Sequence, residues 1–359
     1  MPASAIAPLV LFLAILLTLA HVLGHVFVKL RQPRVIGEIL AGILLGPFVL
    51  GKMPAYTRLL GLEIDAAPKR AALDLLSWLG LLLLMFLSGA EVKALFQKHE
   101  RRQILWLTSF GTGLPFLAMA VGASALPLQW FMGVKANRIS LILVMSIAVA
   151  VTSIPVISRI FFDLKILHTR FARLVLGVAV LEDIGLWAVL AIATAMAASA
   201  GLPQAKIAMH VGATLLYFLL ALSVAPPVMK RLAKSRFNLL AQTSPVSFTL
   251  LIAFVYVAVA GLLDVNLVFA AFLAGFAVSR KRLGHALETV SHFSFALFIP
   301  VYFALVGYSL TFGKDFSLTM LLVFLAGACT VKLGSVALGA RLAGFHLSNV
   351  HQLLRPDYI

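Results

Sequence analysis

The sequence of 359 residues is short of charge and nearly without cysteine. Only 12% of its residues are Asp, Glu, Lys or Arg, whereas a soluble domain carries about a quarter. A chain so poor in charge has little surface to turn toward water. The single cysteine, Cys329, lies inside an apolar run, which excludes a disulfide framework and a thiol metal site. No Gly-rich G-x-G-x-x-G fingerprint occurs, so a nucleotide cofactor has no recognisable cradle, and no other cofactor is expected. No Lys or Arg precedes the first apolar run and no small-residue cleavage site follows it, so that run reads as a retained helix.

What fills the chain instead is apolar. Hydrophobic residues make up 62% of it, and the mean hydropathy is +1.05. The apolar runs are mostly 18 to 28 residues long, enough to cross a hydrocarbon core of about 30 Å as helices. They divide into eleven spans: 5–28, 35–51, 72–95, 103–127, 139–162, 174–200, 207–229, 246–263, 265–279, 290–312 and 317–343. The expectation is an all-α polytopic protein in a lipid bilayer, with one membrane domain over 1–359 and no soluble regulatory domain.

The formal charge of +16 could suggest a nucleic-acid partner, but its distribution points to the membrane instead. Alternate connections, counted with the adjoining span ends, hold 20 and 8 basic residues, and Lys332 alone lies deep inside a span. The positive-inside rule makes the richer side cytoplasmic. The N-terminus is then expected outside and the C-terminus, with a short tail at 346–359, inside a cell membrane.

Some spans are irregular. Gly37, Gly42 and Gly46 before Pro47 give the second run a close-packing face. In the fifth, Thr152 and Ser153 precede Pro155 in mid-membrane. Proline frees carbonyls one turn earlier, near Val151. In lipid those carbonyls need another donor, from a hydroxyl at a simple kink or from a cation at an unwound segment. Pro300 marks a second expected break, most simply a kink without a functional role.

Of thirteen acidic residues, most fall in connections, and Glu38 and Asp74 sit near span ends where water or a cap can reach them. Glu182 and Asp183 stand eight to nine residues inside the sixth run, near the bilayer middle. One charge at that depth costs at least about 2.5–3.5 kcal/mol. Neighbouring residues on a helix point about 100° apart, so one acid can face a base while the other faces a cavity. Lys332 is the one base at comparable depth, which leaves one acid without a counter-charge. An inert ion pair tethering two helices is the plain alternative. The functional reading is a site where H⁺ and a monovalent cation compete for Asp183.

The stretches RQPRVIGEILAGILLGP (31–47), TSIPVISRIFFDLKILHTRFARLVLGVAVLEDIG (152–185), AAFLAGFAVS (270–279), ALFIPVYFALVGYSL (296–310) and VKLGSVALGARLAG (331–344) follow one another along the chain. Together they resemble the monovalent cation:proton antiporter-2 family, which includes Na⁺/H⁺ exchangers and Kef-type K⁺/H⁺ systems. The resemblance implies an inverted-repeat fold with broken helices, a dimerising part, a moving core and a homodimer. It implies that Asp183 binds the transported Na⁺ or K⁺, with Thr152 and its neighbours on the unwound segment. It pairs Lys332 with Glu182, where members commonly carry Asp, Asn or Gln. Charged members of this kind are associated with electrogenic exchange. By the same resemblance two further helices would follow Lys332's helix, and the sequence stops at 359 where the first would begin.

The leading expectation is therefore a Na⁺/H⁺ or K⁺/H⁺ antiporter. A non-transporting or incomplete subunit of one is the alternative, favoured by the two helices and opposed by the retention of Glu182, Asp183 and Lys332. An organic-solute symporter would need a more polar pocket than these runs offer. An enzyme is the remotest reading, because His21, His25 and His210 have no zinc-ligand company in sequence.

Overall fold

The computed structural model describes residues 3–47, 49–53, 67–95, 101–124, 126–132, 137–153, 157, 161, 166, 169–198, 204–232, 235, 238–278, 280–310 and 317–345. Pro155, the tail 346–359 and the sequence end lie outside the described residues.

Helices carry the described chain. Those of eight residues or more are, in order, α1 (Ala3–Lys29), α2 (Arg34–Leu45), α3 (Ala67–Leu95), α4, α5 (Arg138–Ala150), α6 (Arg170–Ala198), α7 (Gln204–Ser223), α8 (Ala225–Leu232), α9 (Pro245–Leu262), α10 (Leu267–Ala277), α11 and α12 (Leu318–Leu342). Helix α4 runs through Arg101–Thr108, a π-helical segment Ser109–Gly113, and Leu114–Ser124. Helix α11 likewise joins Arg280–Phe293 to Ile299–Ser309 through a π segment, Ser294–Phe298. Each of the eleven apolar runs overlaps at least one of these helices, and 207–229 overlaps both α7 and α8. Among the described residues, eight helical stretches are long and apolar enough to cross a membrane, α2 being one when continued to Lys52, and α5 and α10 are shorter apolar helices. The two short ones fall below a full span because α5 stops at Ala150 and α10 at Ala277, each on a residue with extended backbone.

The chain divides into two compact units. The first comprises Met1–Leu87, Ser244–Thr249 and Lys281–Phe316. Its core packs Phe12, Leu16 and Ala20 of α1 with Ala41 and Leu45 of α2, Leu73 of α3, and Val301 and Ala304 of α11. Lipid tails are as apolar as leucine, so close backbone approach rather than hydrophobicity holds such helices together. Gly42 and Gly307 provide it. A Cβ on Gly42 would overlap the Ala304 carbonyl, and one on Gly307 would overlap the Ile39 carbonyl.

Pro300 does not break α11. The chain stays helical through it, with the π segment immediately before it. Having no N–H, Pro300 leaves the Ala296 carbonyl one turn earlier short of its usual donor. His21 on α1 fills that place, with Nε2 3.0 Å from the Ala296 oxygen. Since Nε2–H donates there, Nδ1 is the acceptor for Arg34 Nη2, which bonds it. Arg34 Nε in turn lies 3.3 Å from Glu38 Oε1. Glu38 is only 5% exposed, so it is held inside the unit by this chain of contacts and not at a watered span end as its position in the run implied.

The second unit comprises Ser88–Thr243, Leu250–Arg280 and Ser317–Ile359. Helix α10 is buried along nearly its whole length, as its all-round apolar sequence demands. The Asn266 side chain caps it, accepting from the amides of Val268 and Phe269 at 3.0 Å each. Helix α5 is fastened to α6 at its start. Asn137 caps it through the Ser140 amide, and Asn137 Nδ2 and Ser140 Oγ donate to the Met196 and Ala193 carbonyls of α6. These bonds set the register that brings the far end of α5 to the middle of α6.

If His21 serves the Ala296 carbonyl, His21→Ala strands it and takes from Arg34 Nη2 its imidazole acceptor. We expect a loss of about 1–3 kcal/mol in unfolding free energy in detergent, with His21→Gln, which keeps a donor, losing less. Equal stability of wild type and His21→Ala would remove this account of the Pro300 turn.

Candidate functional site

Glu182 and Asp183 occupy the middle of α6 and are 2% and 6% exposed. The helix around them is apolar, so no water-facing side is available to either. Two elements of the same unit converge on Glu182. From α12, Lys332 Nζ lies 2.7 Å from Glu182 Oε1. From the segment after α5, Thr152 Oγ1 donates to the same oxygen at 2.9 Å. Three of the residues singled out by sequence thus meet at one atom.

The helix break explains why they meet. Helix α5 ends at Ala150, and Val151 is extended, with φ −65° and ψ 146°. The last carbonyls of any helix lack intrahelical donors, and in hydrocarbon each unmet carbonyl is costly. Lys332 Nζ bonds the Ala150 carbonyl directly while holding Glu182. A cation at a helix C-terminus is also favoured by the helix dipole. One ammonium therefore neutralises a carboxylate and caps a broken helix.

Asp183 is different. No hydrogen bond or ion pair reaches its carboxylate among the described residues, and the Glu182 charge beside it is of the same sign. Ser153 is exposed and makes no side-chain bond to either acid; its carbonyl accepts the Ile157 amide at 3.0 Å. Chemically, Glu182 is paired with Lys332, and Asp183 is a buried carboxyl group without a bonded partner among the described residues. A proton or a small metal cation can neutralise such a group. Among the described residues no group of three His, Cys, Asp or Glu gathers as a resident metal site.

Sequence reasoning missed Thr112. It lies in the π segment of α4, which packs on α12, and its hydroxyl is within electrostatic reach of the Glu182 carboxylate. Gly339 meets Phe110, and Gly111 meets Val336, one turn from Lys332. The signal was slight, a Ser-Phe-Gly-Thr-Gly stretch inside an otherwise apolar run.

Buried ionisable side chains beside a broken helix in an apolar bundle are the kind of arrangement on which ion pathways in membrane proteins are built. Comparison with known proteins agrees. The family profile described as "Sodium/hydrogen exchanger, transmembrane" matches residues 11–354, and the chain belongs to that family. It is 28% identical over 304 residues to Cation/H(+) antiporter 18 of Arabidopsis thaliana, covering 83% of this chain and 36% of the relative. It is 28% identical over 339 residues to the Na(+)/H(+)-K(+) antiporter GerN of Bacillus cereus, covering 93% of this chain and 80% of that one. The chain spans about a third of the length of the plant relatives it matches, and most of the length of the bacterial one. In fold it is similar to the sodium proton antiporter MjNhaP1 from Methanocaldococcus jannaschii, with a TM-score of 0.59 at 15% identity, covering 96% of this chain and 81% of that one.

Removing the ammonium leaves a buried carboxylate and a bare helix end. Lys332→Met is expected to destabilise the folded chain by about 3–5 kcal/mol, read as a lowered unfolding midpoint in detergent. Adding Glu182→Leu should recover part of the loss, because the stranded charge goes while the bare Ala150 carbonyl stays. Wild-type stability in the single variant would show that the pair does not hold this end of α5.

Proposed function

We propose that the chain exchanges protons for Na⁺ or K⁺ across a membrane, by competition at Asp183. The observation that carries this reading is the unequal treatment of two adjacent buried acids. Glu182 has a lysine and a threonine, and Asp183 has no partner among the described residues. A lone carboxylate in so dry a place is satisfied by a proton or by a metal cation, one at a time. Exclusive occupancy couples the two fluxes without a further energy source. In this reading the Thr152 hydroxyl and carbonyls of the segment after α5 complete the cation's shell, as half-helix ends do in other secondary transporters.

In this reading Lys332 keeps Glu182 from competing for the cation. Competition at Asp183 alone trades one proton for one cation and moves no net charge, so the electrogenic exchange we infer from the charged Glu182–Lys332 pair requires a second proton, supplied by that pair. Each net charge moved then responds to the membrane potential by about 2.3 kcal/mol per 100 mV. We further propose a single antiporter domain in the cell membrane, with the N-terminus outside and the C-terminus in the cytoplasm, working as a homodimer. Support for the ions comes from relatives named as Na(+)/H(+)-K(+) and K(+)/H(+) antiporters.

The test is exchange by the purified 359-residue chain in acid-loaded proteoliposomes, with Na⁺, K⁺ or Li⁺ added outside and internal pH followed. Cation-dependent alkalinisation is expected, lost in Asp183→Asn. Folded protein that gives no response would contradict exchange, and activity kept in Asp183→Asn would contradict competition at that residue. Clamping the potential from 0 to about −100 mV should change the rate; a rate indifferent to potential would remove the electrogenic reading alone.

A further inference from the structure

Threonines in helices ordinarily turn their hydroxyl back onto the carbonyl four residues earlier. Here Thr18, Thr194, Thr243, Thr249, Thr289 and Thr330 all do so, to Ala14, Leu190, Leu239, Pro245, His285 and Ala326. Thr108 and Thr112 do not. Both hydroxyls on α4 are buried and without a hydrogen-bond partner among the described residues. A buried hydroxyl left unbonded costs free energy, and two on adjacent turns of one helix call for a reason.

The π segment Ser109–Gly113 supplies the reason for Thr112. A π turn shifts the backbone bonds from the fourth to the fifth residue and opens the ladder, and such turns gather at functional sites. Thr112 is 7% exposed, on the segment that packs against α12 one turn from Lys332, and its hydroxyl lies near the Glu182 carboxylate. Both bonds that Glu182 receives go to Oε1, from Lys332 and Thr152, and no bond is made to Oε2 among the described residues. A donor without an acceptor therefore stands beside an acceptor without a donor.

We propose that Thr112 is a further positioning residue of the exchange site, its hydroxyl being the donor to the second oxygen of Glu182. With Lys332 and Thr152 on one oxygen and Thr112 on the other, the carboxylate is fixed toward α4 and α12 and withheld from the cation at Asp183. The π turn is then the device that points Thr112 at the acid instead of at its own backbone. The inference rests on the reading of Asp183 as the exchanging carboxylate and Glu182 as its fixed neighbour.

Thr112→Val keeps shape and removes the donor, and Thr112→Ser restores it. In proteoliposomes Thr112→Val is expected to change the half-saturating cation concentration by about two- to tenfold, the range of one hydrogen bond, with Thr112→Ser near wild type. In detergent, the unfolding midpoint of wild type, Thr112→Val and Thr112→Ser is followed against pH. A donor to an ionisable group moves the pH profile, whereas a purely structural role lowers the midpoint equally at every pH. A Thr112→Val profile parallel to wild type, or a Thr112→Ser variant no closer to wild type than Thr112→Val, overturns the proposal. Should wild type show no exchange, the functional reading fails, and the detergent profile still decides whether Thr112 serves Glu182.

Discussion

In hydrocarbon a backbone carbonyl has no water to turn to, and the irregular points of this chain are organised around that constraint. Helix α5 ends at Ala150 in the middle of its apolar run, and the ammonium of Lys332 takes the exposed carbonyl. Helix α11 passes Pro300, and the imidazole of His21 takes the carbonyl that proline leaves. In each case the donor comes from another helix and is also tied to a carboxylate, Glu182 directly in one unit and Glu38 through Arg34 in the other. Backbone rescue and charge compensation are done by the same side chains.

That double duty gives the site its asymmetry. Lys332 is fixed by geometry to the end of α5, so it can serve only the acid that faces that end. Glu182 takes it, and Asp183, turned about 100° away on α6, has no share in it. Two adjacent acids on one helix with a single base between them thus become unlike groups. The difference between the paired carboxylate and the one without a partner among the described residues arises from where a neighbouring helix stops.

Much of this was legible in the sequence because charge in an apolar run is conspicuous. Glu182, Asp183 and Lys332 stood out by depth alone, and Pro155 with Thr152 marked a break in the fifth run. Proline pointed to freed carbonyls near Val151, but not to what would satisfy them. The helix stops at Ala150, and the contact that stabilises the stop comes from a residue 182 positions away. His21 could be read only as a histidine without metal-ligand neighbours, since its acceptor lies 275 residues further on. Glu38 looked accessible near the end of a short run, and a network spanning two helices buries it. Thr112 was hidden for another reason, because a π turn leaves no mark in a 3.6-residue pattern. Properties set by long-range capping and by local departures from helical period are those that one-dimensional reading passes over.

The central claim is that a cation and a proton exclude each other at Asp183. Its most direct measurement is calorimetric titration of the detergent-purified chain with Na⁺ or K⁺ in two buffers of different ionisation enthalpy at one pH. Displacement of a proton makes the observed heat depend on the buffer, and we expect that dependence in wild type and its loss in Asp183→Asn. Cation binding with the same heat in both buffers would mean that the cation enters without releasing a proton, and would contradict the account.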